Sequence, residues 1–280
     1  MLDNDKKIAS GHNACAGCGQ LSAVQSVMRA LDKDTIIINA TGCLEVTTTS
    51  YPQSVWRLPW MHSLFENSAA VAAGVRAALR KNKKKTKVIV QAGDGATFDI
   101  GIGFISGLFE RGDEVLYICY DTEGYSNTGF QSSGSTPPGA LTATTPAGAN
   151  EIKKDMMAIA LAHQVPYVAQ TAAGYPEDIV RKVKRALATP GPSYIQILSP
   201  CIPGWKIKTD EAVRAAKLAV QTGLYPLVEF QDGKLVSSSL SSKTMLLPLN
   251  DYISLQGRFP NKMDDKLKKI VEENIKRYKL

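Results

Sequence analysis

Two short apolar runs, each closed by a small polar turn, restrict what this chain can fold into more than any other feature. Residues 88–92 (Val-Ile-Val-Gln-Ala) run into Gly93-Asp94-Gly95, and residues 115–121 (Val-Leu-Tyr-Ile-Cys-Tyr-Asp) run into Thr122-Glu123-Gly124-Tyr125-Ser126-Asn127. Runs of this kind are typical of strands buried on both faces of a parallel sheet. Between them, residues 98–111 read as a helix. A strand–helix–strand unit brings both strand ends to one edge of the sheet, the edge at which open α/β sheets bind ligands. Asp94 and the Thr122 turn are therefore expected to meet, although well separated in sequence.

Asp94 offers a hard carboxylate oxygen, Thr122 and Asn127 offer neutral side-chain oxygens, and a turn at Gly124 exposes carbonyls. A few hard oxygens suit Mg²⁺, which takes its remaining ligands from phosphate and water. The flanking glycines let a phosphate approach the main chain, and the next helix aims its N-terminus at the same place. These residue types together read as a Mg²⁺–diphosphate site. A lone Gly-Asp-Gly is equally at home in an ordinary turn; it is the pairing with the second turn that favours a site.

Five cysteines are present. Cys15 and Cys18 form a C-x-x-C within Ala14-Cys15-Ala16-Gly17-Cys18-Gly19. Cys43 follows an expected strand at 35–40, and Cys201 follows another at 193–198, in Pro200-Cys201-Ile202-Pro203. Four thiolates on loops can bind an iron–sulfur cluster or Zn²⁺. A C-x-x-C can also be a redox dithiol, and free cysteines can simply be buried. Spacing alone leaves these open. Cys119 lies mid-strand and reads as a small buried apolar residue.

The Gly-Asp-Gly followed by an Asn-bearing turn resembles the diphosphate-binding module of thiamine diphosphate enzymes. The stretch 121–129 and the segments Ala-Cys-Ala-Gly-Cys-Gly, Thr-Gly-Cys and Pro-Cys are similar to the beta subunit of the 2-oxoacid:ferredoxin oxidoreductases, most closely the pyruvate type (pyruvate synthase). The resemblance runs from about Gly11 to Gly257. It implies Mg²⁺ on Asp94, Thr122 and the Gly124 carbonyl. Many small-subunit relatives carry Asn at the position of Thr122, and Thr keeps the oxygen donor. It also implies one 4Fe–4S cluster on Cys15, Cys18, Cys43 and Cys201, and thiamine diphosphate against Thr41, Gly42, Cys43, Leu44, Gly93, Gly95, Ala96, Ser126 and Asn127. Asn127 is expected near the reacting carbon as the catalytic residue.

The implied activity is oxidative decarboxylation of a 2-oxo acid, with pyruvate preferred, acyl transfer to coenzyme A and electron transfer to ferredoxin. The glutamate that activates the cofactor would come from another subunit, so alpha and gamma/delta-type partners are expected and the isolated chain should be inactive. Other readings are a 2-oxoisovalerate or oxalate enzyme, a non-oxidative thiamine diphosphate lyase, and a zinc-stabilised interaction module.

The fold class expected is α/β, a doubly wound, mostly parallel sheet of the thiamine diphosphate-binding type. In the 280-residue chain we expect an α/β domain over 1–225, with 226–280 forming a C-terminal hairpin and tail packed on it or on a partner. Further helices are expected at 21–31, 66–81, 151–164, 176–188 and 210–221, strands at 165–170 and 193–198, and a hairpin across 225–236 turning at Asp232-Gly233. An aromatic-rich connection (51–65) holds Trp56, Trp60 and His62 and is expected to plug the sheet edge or meet a subunit. A long Ser/Thr/Gly/Pro segment, 131–150, is expected to be a functional loop. His12 and His163 read as structural.

The net charge is +7, much of it in 81–87 and in a basic helix expected at 262–280. The first reads as a solvated turn between a helix and the Gly-Asp-Gly strand, with steering of an acidic partner such as ferredoxin as the alternative; no aromatic residues interleave with these charges, which speaks against nucleic acid. There is no apolar run long enough for a membrane. Residues 1–7 lack a secretion signal's apolar stretch, and ligand-like cysteines suit a reducing cytoplasm.

Overall fold

Alternate residues of the central strands point to opposite sides of one sheet, and helices cover both. In the computed structural model, which describes residues 6–238, 246–260 and 265–280, the strands are β1 (Thr35–Ala40), β2 (Trp60–Ser63), β3 (Lys87–Gly93), β4 (Leu116–Asp121), β5 (Tyr167–Ala172), β6 (Ser193–Leu198), β7 (Val228–Gln231) and β8 (Lys234–Ser238). They lie in the order β2-β1-β3-β4-β6-β5-β7-β8. The first six are parallel, while β7 and β8 run antiparallel.

The helices are α1 (Gly19–Ala30), α2 (Cys43–Thr48), α3 (Ser68–Lys81), α4 (Ile102–Glu110), α5 (Met156–Ala162), α6 (Pro176–Ala188), α7 (Ile202–Trp205), α8 (Ala212–Gln221), α9 (Leu249–Ile253) and α10 (Asp265–Tyr278). Ile37, Ile89, Ile118 and Ile195 pack with α1, α6 and α8 on one face. Ile38, Val90, Tyr117 and Tyr194 pack with α3, α4 and α5 on the other. The chain runs across the sheet in one direction through α4 and α5 and returns from β5 to β6 through α6. Right-handed crossovers place helices of opposite travel on opposite faces. The doubly wound α/β expectation therefore holds.

Several local expectations are corrected. The helix expected from 98 begins three residues earlier, as a π-helical turn (Gly95–Ile100) that continues into α4. The helix expected at 151–164 is only α5. Asp155 caps it by accepting a hydrogen bond from Ala158 N, and Lys153 before it is drawn to Asp121 and Glu123. The strand expected at 165–170 sits two residues later. Four elements were not expected: the short helices α2 after Cys43, α7 after Cys201 and α9, and β2, which turns part of the aromatic connection into the edge strand beside β1. Asp232 and Gly233 both adopt positive φ, 49° and 75°, the type I′ geometry that suits a two-residue hairpin. β7 and β8 thus extend the same sheet. Of the N-terminal stretch and the basic tail, residues 1–5 and 262–264 lie outside the described residues. No helix among the described residues is long and apolar enough to cross a membrane.

Ile118 is fully buried at the centre of β4. Ile118→Ala should lower the unfolding free energy by about 2–5 kcal/mol, measured as a lower urea midpoint with an unchanged slope.

Candidate functional site

Four neighbouring strands, β1, β3, β4 and β6, are parallel, so the loops that leave their C-terminal ends open on one edge. Those loops carry Cys43, Asp94, Thr122 and Cys201. A pocket lies at this edge, lined by Thr41, Gly42, Cys43, Leu44, Gly93, Asp94, Gly95, Thr122, Gly124, Ser126 and Asn127. All of these were named from the sequence. Ala96 is buried in the turn behind them and is absent from the lining. Gln20, Asn39, Phe65, Gln91 and Tyr125 also line the pocket and were missed. Asn39 and Gln91 sit opposite each other on β1 and β3, and each keeps a buried polar atom without a protein partner.

Asp94 is almost fully buried. Its Oδ1 accepts from Thr122 N at 3.1 Å and Thr122 Oγ1 at 2.8 Å, and its Oδ2 accepts from Gly124 N at 2.8 Å and Ser133 Oγ at 2.5 Å. Thr122 Oγ1 lies 3.0 Å from the Gly124 carbonyl. An octahedral Mg²⁺ with bonds of ~2.1 Å has ligand-to-ligand edges of about 3.0 Å. Thr122 Oγ1 is therefore spaced from Asp94 Oδ1, at 2.8 Å, and from the Gly124 carbonyl, at 3.0 Å, as neighbouring ligands of such an ion are. Gly95 is required where it stands, since a Cβ there would come within 2.5 Å of the Tyr125 ring. Tyr125 in turn donates to Asp99 Oδ2 at 2.9 Å. The 131–150 loop closes over this cluster: Ser133 reaches Asp94, Ser135 donates to Asp121, and Thr136 donates to the Glu123 carbonyl.

Behind the loop lies a buried charge chain that sequence reasoning did not find. Lys153 Nζ donates to Asp121 Oδ2 at 2.6 Å and to Glu123 Oε1 at 3.1 Å. Arg258 Nη2 donates to Glu123 Oε2 at 2.6 Å. Burial pushes the Glu123 carboxyl up, but Lys153 and Arg258 outweigh it and hold the group below its usual range. Burial likewise lowers Lys153, and Asp121 and Glu123 more than reverse that. Asp94 has no such cation. Burial first, and then repulsion by Asp121, push its carboxyl up to about 7, against hydrogen bonds from Ser133 and Thr122.

The cysteines flank this cluster. The C-x-x-C turn packs on the segment after β6: a Cβ on Gly17 would lie 1.7 Å from the Thr209 carbonyl oxygen, and Gly19 N donates to the Pro200 carbonyl at 3.2 Å. Cys43 is pushed up to about 12, by burial and then by Cys201, Cys18 and Cys15 in that order. Cys201 is raised by burial and by Cys18 and Cys15, while a hydrogen bond from Ser126 lowers it. Four sulfurs that feel one another's charge are gathered on one side of the molecule. Among the described residues, however, no three His, Cys, Asp or Glu side chains converge closely enough to grip one ion. Cys119 is fully buried in β4.

Elsewhere, His62 Nε2 lies 2.7 Å from Thr41 Oγ1, and its ring stacks on Trp60, which stacks on Trp56. His163 pairs with Ser106 Oγ at 3.1 Å, away from the pocket.

Residues 40–197 match the family described as thiamine pyrophosphate enzyme, C-terminal TPP binding domain. The chain is 43% identical to the pyruvate synthase subunit PorB of Methanocaldococcus jannaschii, over 99% of this chain and 97% of that protein. The chain belongs to the 2-oxoacid:ferredoxin oxidoreductases, as their thiamine pyrophosphate-binding beta subunit. The ketoisovalerate oxidoreductase subunit VorB of Pyrococcus abyssi is also similar, at 40% identity over 92% of this chain and 86% of that one. Among solved structures, the 2-oxoglutarate:ferredoxin oxidoreductase from Magnetococcus marinus matches with a TM-score of 0.63 and 26% identity, covering 78% of this chain and 82% of that chain. This beta subunit is thus a component of a multi-subunit oxidoreductase.

The Asp94 environment sets a pH dependence. Its carboxyl is raised from 3.8 to about 7, so between those values the folded chain binds more protons than the unfolded one. Stability of the cation-free chain should then fall as pH rises from about 4 to about 7. Calorimetric melting should give a lower midpoint at about pH 8 than at about pH 5, and Asp94→Asn should flatten the difference. Mg²⁺ added at about pH 8 should raise the wild-type midpoint and leave that of Asp94→Asn unmoved.

Proposed function

We propose that this subunit carries the thiamine diphosphate, Mg²⁺ and 4Fe–4S centres of a pyruvate:ferredoxin oxidoreductase. The observation that carries this reading is the convergence, at four adjacent strand ends, of the Asp94, Thr122 and Gly124 oxygens with the loops bearing Cys43 and Cys201. When bound, thiamine diphosphate supplies the nucleophilic carbon and the electron sink for decarboxylation of a 2-oxo acid. Asp94, Thr122 and the Gly124 carbonyl would hold Mg²⁺ and, through it, the diphosphate. Gly93 and Gly95 leave the main chain open to the phosphates, and Thr41, Gly42 and Leu44 wall the opposite side of the pocket. Asn127 lines the same pocket and would orient the substrate at the reacting carbon. Cys15, Cys18, Cys43 and Cys201 would hold a cluster that takes electrons one at a time toward ferredoxin, the acyl group passing to coenzyme A.

The donor set suits these groups. Asp94 is a buried carboxylate whose hydrogen bonds all come from uncharged donors, and the thiols of Cys18, Cys43 and Cys201, pushed up by burial first and then by neighbouring thiols, would be held as thiolates by a positive metal centre. A non-oxidative lyase would need the oxygens but not the sulfurs. Pyruvate is favoured because the pyruvate synthase subunit is similar over nearly the full chain. The similarity to a ketoisovalerate oxidoreductase subunit supports 2-oxoisovalerate as the second reading. The pocket offers no glutamate among its lining residues, which fits activation of the cofactor by a partner subunit. Alpha and gamma/delta-type partners, and a cytoplasmic setting, belong to the same proposal.

The assembled complex, purified without oxygen, should reduce ferredoxin with coenzyme A and pyruvate at a higher kcat/KM than with 2-oxoisovalerate or 2-oxoglutarate. The beta subunit alone should show no turnover. Cys43→Ser and Cys201→Ser should each lose most of about four irons and four sulfides per chain. Zinc in place of iron, or full activity in both variants, would refute the cluster.

A further inference from the structure

We propose that Arg258 is the positioning residue of the metal loop, holding Glu123 between the two loop residues assigned to the cation and tying that loop to the Cys201 loop through Trp205. This deepens the proposed function and rests on its assignment of Thr122 and Gly124 to Mg²⁺.

Arg258 lies beyond β8, in the segment after α9, and is fully buried. Its Nη2 donates to Glu123 Oε2 at 2.6 Å and to Tyr252 OH at 3.1 Å, and its Nε donates to Gln256 Oε1 at 2.8 Å. Its carbonyl accepts from Leu141 N at 2.8 Å. The guanidinium lies 3.8 Å from the centre of the Trp205 ring. Nη1 has no partner. A buried cation short of a hydrogen bond is a poor choice for stability alone, and an apolar residue of similar volume would serve the core as well or better. What the arginine supplies is direction.

The direction matters at Glu123. This residue has φ 58°, a left-handed conformation that a glutamate keeps only where its surroundings hold it. It stands between Thr122 and Gly124, and in this conformation Thr122 Oγ1 and the Gly124 carbonyl lie 3.0 Å apart. Lys153 holds the other Glu123 oxygen. Trp205, beneath the guanidinium, donates from Nε1 to the Thr122 carbonyl at 2.8 Å. Trp205 ends α7, which begins immediately after Cys201. The Phe130 ring fills the space between the same two loops: a Cβ on Gly124 would lie 2.7 Å from it, and one on Gly204 2.2 Å. One arginine thus bears on both loops, directly on the first and through a stacked ring on the second.

The test measures Mg²⁺-dependent binding of thiamine diphosphate to the assembled complex by equilibrium dialysis, apart from turnover. Arg258→Met and Glu123→Gln should each raise the half-saturating Mg²⁺ concentration tenfold or more, and the double variant should be no worse than the singles, because both break one contact. Arg258→Lys should recover part of the loss, and Trp205→Phe should give a smaller rise. If Arg258→Met does not assemble, the lysine and phenylalanine variants decide, and wild-type Mg²⁺ demand in both overturns the inference. So do singles whose effects add in the double variant. A wild-type complex that binds the cofactor equally well with a chelator present overturns the metal assignment and this inference with it. A metal-dependent wild type with unaffected variants overturns this inference alone.

Discussion

Three carboxylates are buried side by side at the end of β4 and beside it, and among the described residues cations pair with two of them. Asp121 has Lys153, and Glu123 has Lys153 and Arg258. Asp94 accepts four hydrogen bonds, all from uncharged donors. Ionised carboxylates without a counter-charge are disfavoured in such a place, so burial and Asp121 push the Asp94 carboxyl up to about 7, and the proposed Mg²⁺ would supply the counter-charge. That imbalance orders the surroundings. The 131–150 loop spends its hydroxyls on Asp94 and Asp121, the 151–155 segment gives up helix to deliver Lys153, and the C-terminal segment folds back to deliver Arg258.

The sheet explains why these groups meet at all. Each strand of a parallel sheet brings its C-terminal end to the same edge, and β1, β3, β4 and β6 are neighbours in the sheet. The part of the site legible in the sequence is the part this rule governs. Asp94, Thr122, Gly124, Ser126 and Asn127 sit directly after buried apolar runs, and so do Cys43 and Cys201. The edge therefore follows from reading strands, and the residue types then suggest the chemistry. Ala96 shows where the rule stops: it follows the same strand, but the π-helical turn points it inward.

Features that depend on pairing across the chain were not legible. Nothing in the local pattern marks Arg258 as buried or Lys153 as half-buried, since an isolated arginine or lysine in a polar segment is normally solvated. Their partners are distant in sequence and are known only once the fold is. Asn39 and Gln91 were missed for a related reason. Each looks like a single polar interruption of a strand, and only the register of β1 with β3 shows that the two lie together on the pocket floor. The strand β2 was hidden by its composition, because Trp60-Met61-His62 reads as an aromatic plug. Pairing with β1 makes it a sheet edge, and stacking of Trp56, Trp60 and His62 holds it there.

Close packing of the two loops has a consequence for electron flow. Electron transfer requires a separation that does not wander, and flexible loops are poor at fixing one. Here Ser126 Oγ donates to Thr122 Oγ1 at 2.8 Å and lies 3.4 Å from the Gly124 carbonyl, so a single hydroxyl joins two of the proposed metal ligands. Glycines at 124 and 204 let both loops close on the Phe130 ring, and Trp205 fastens the base of one loop to a carbonyl of the other. The loops of the two proposed centres are therefore packed on each other by the fold, through Phe130 and Trp205, rather than by the centres themselves.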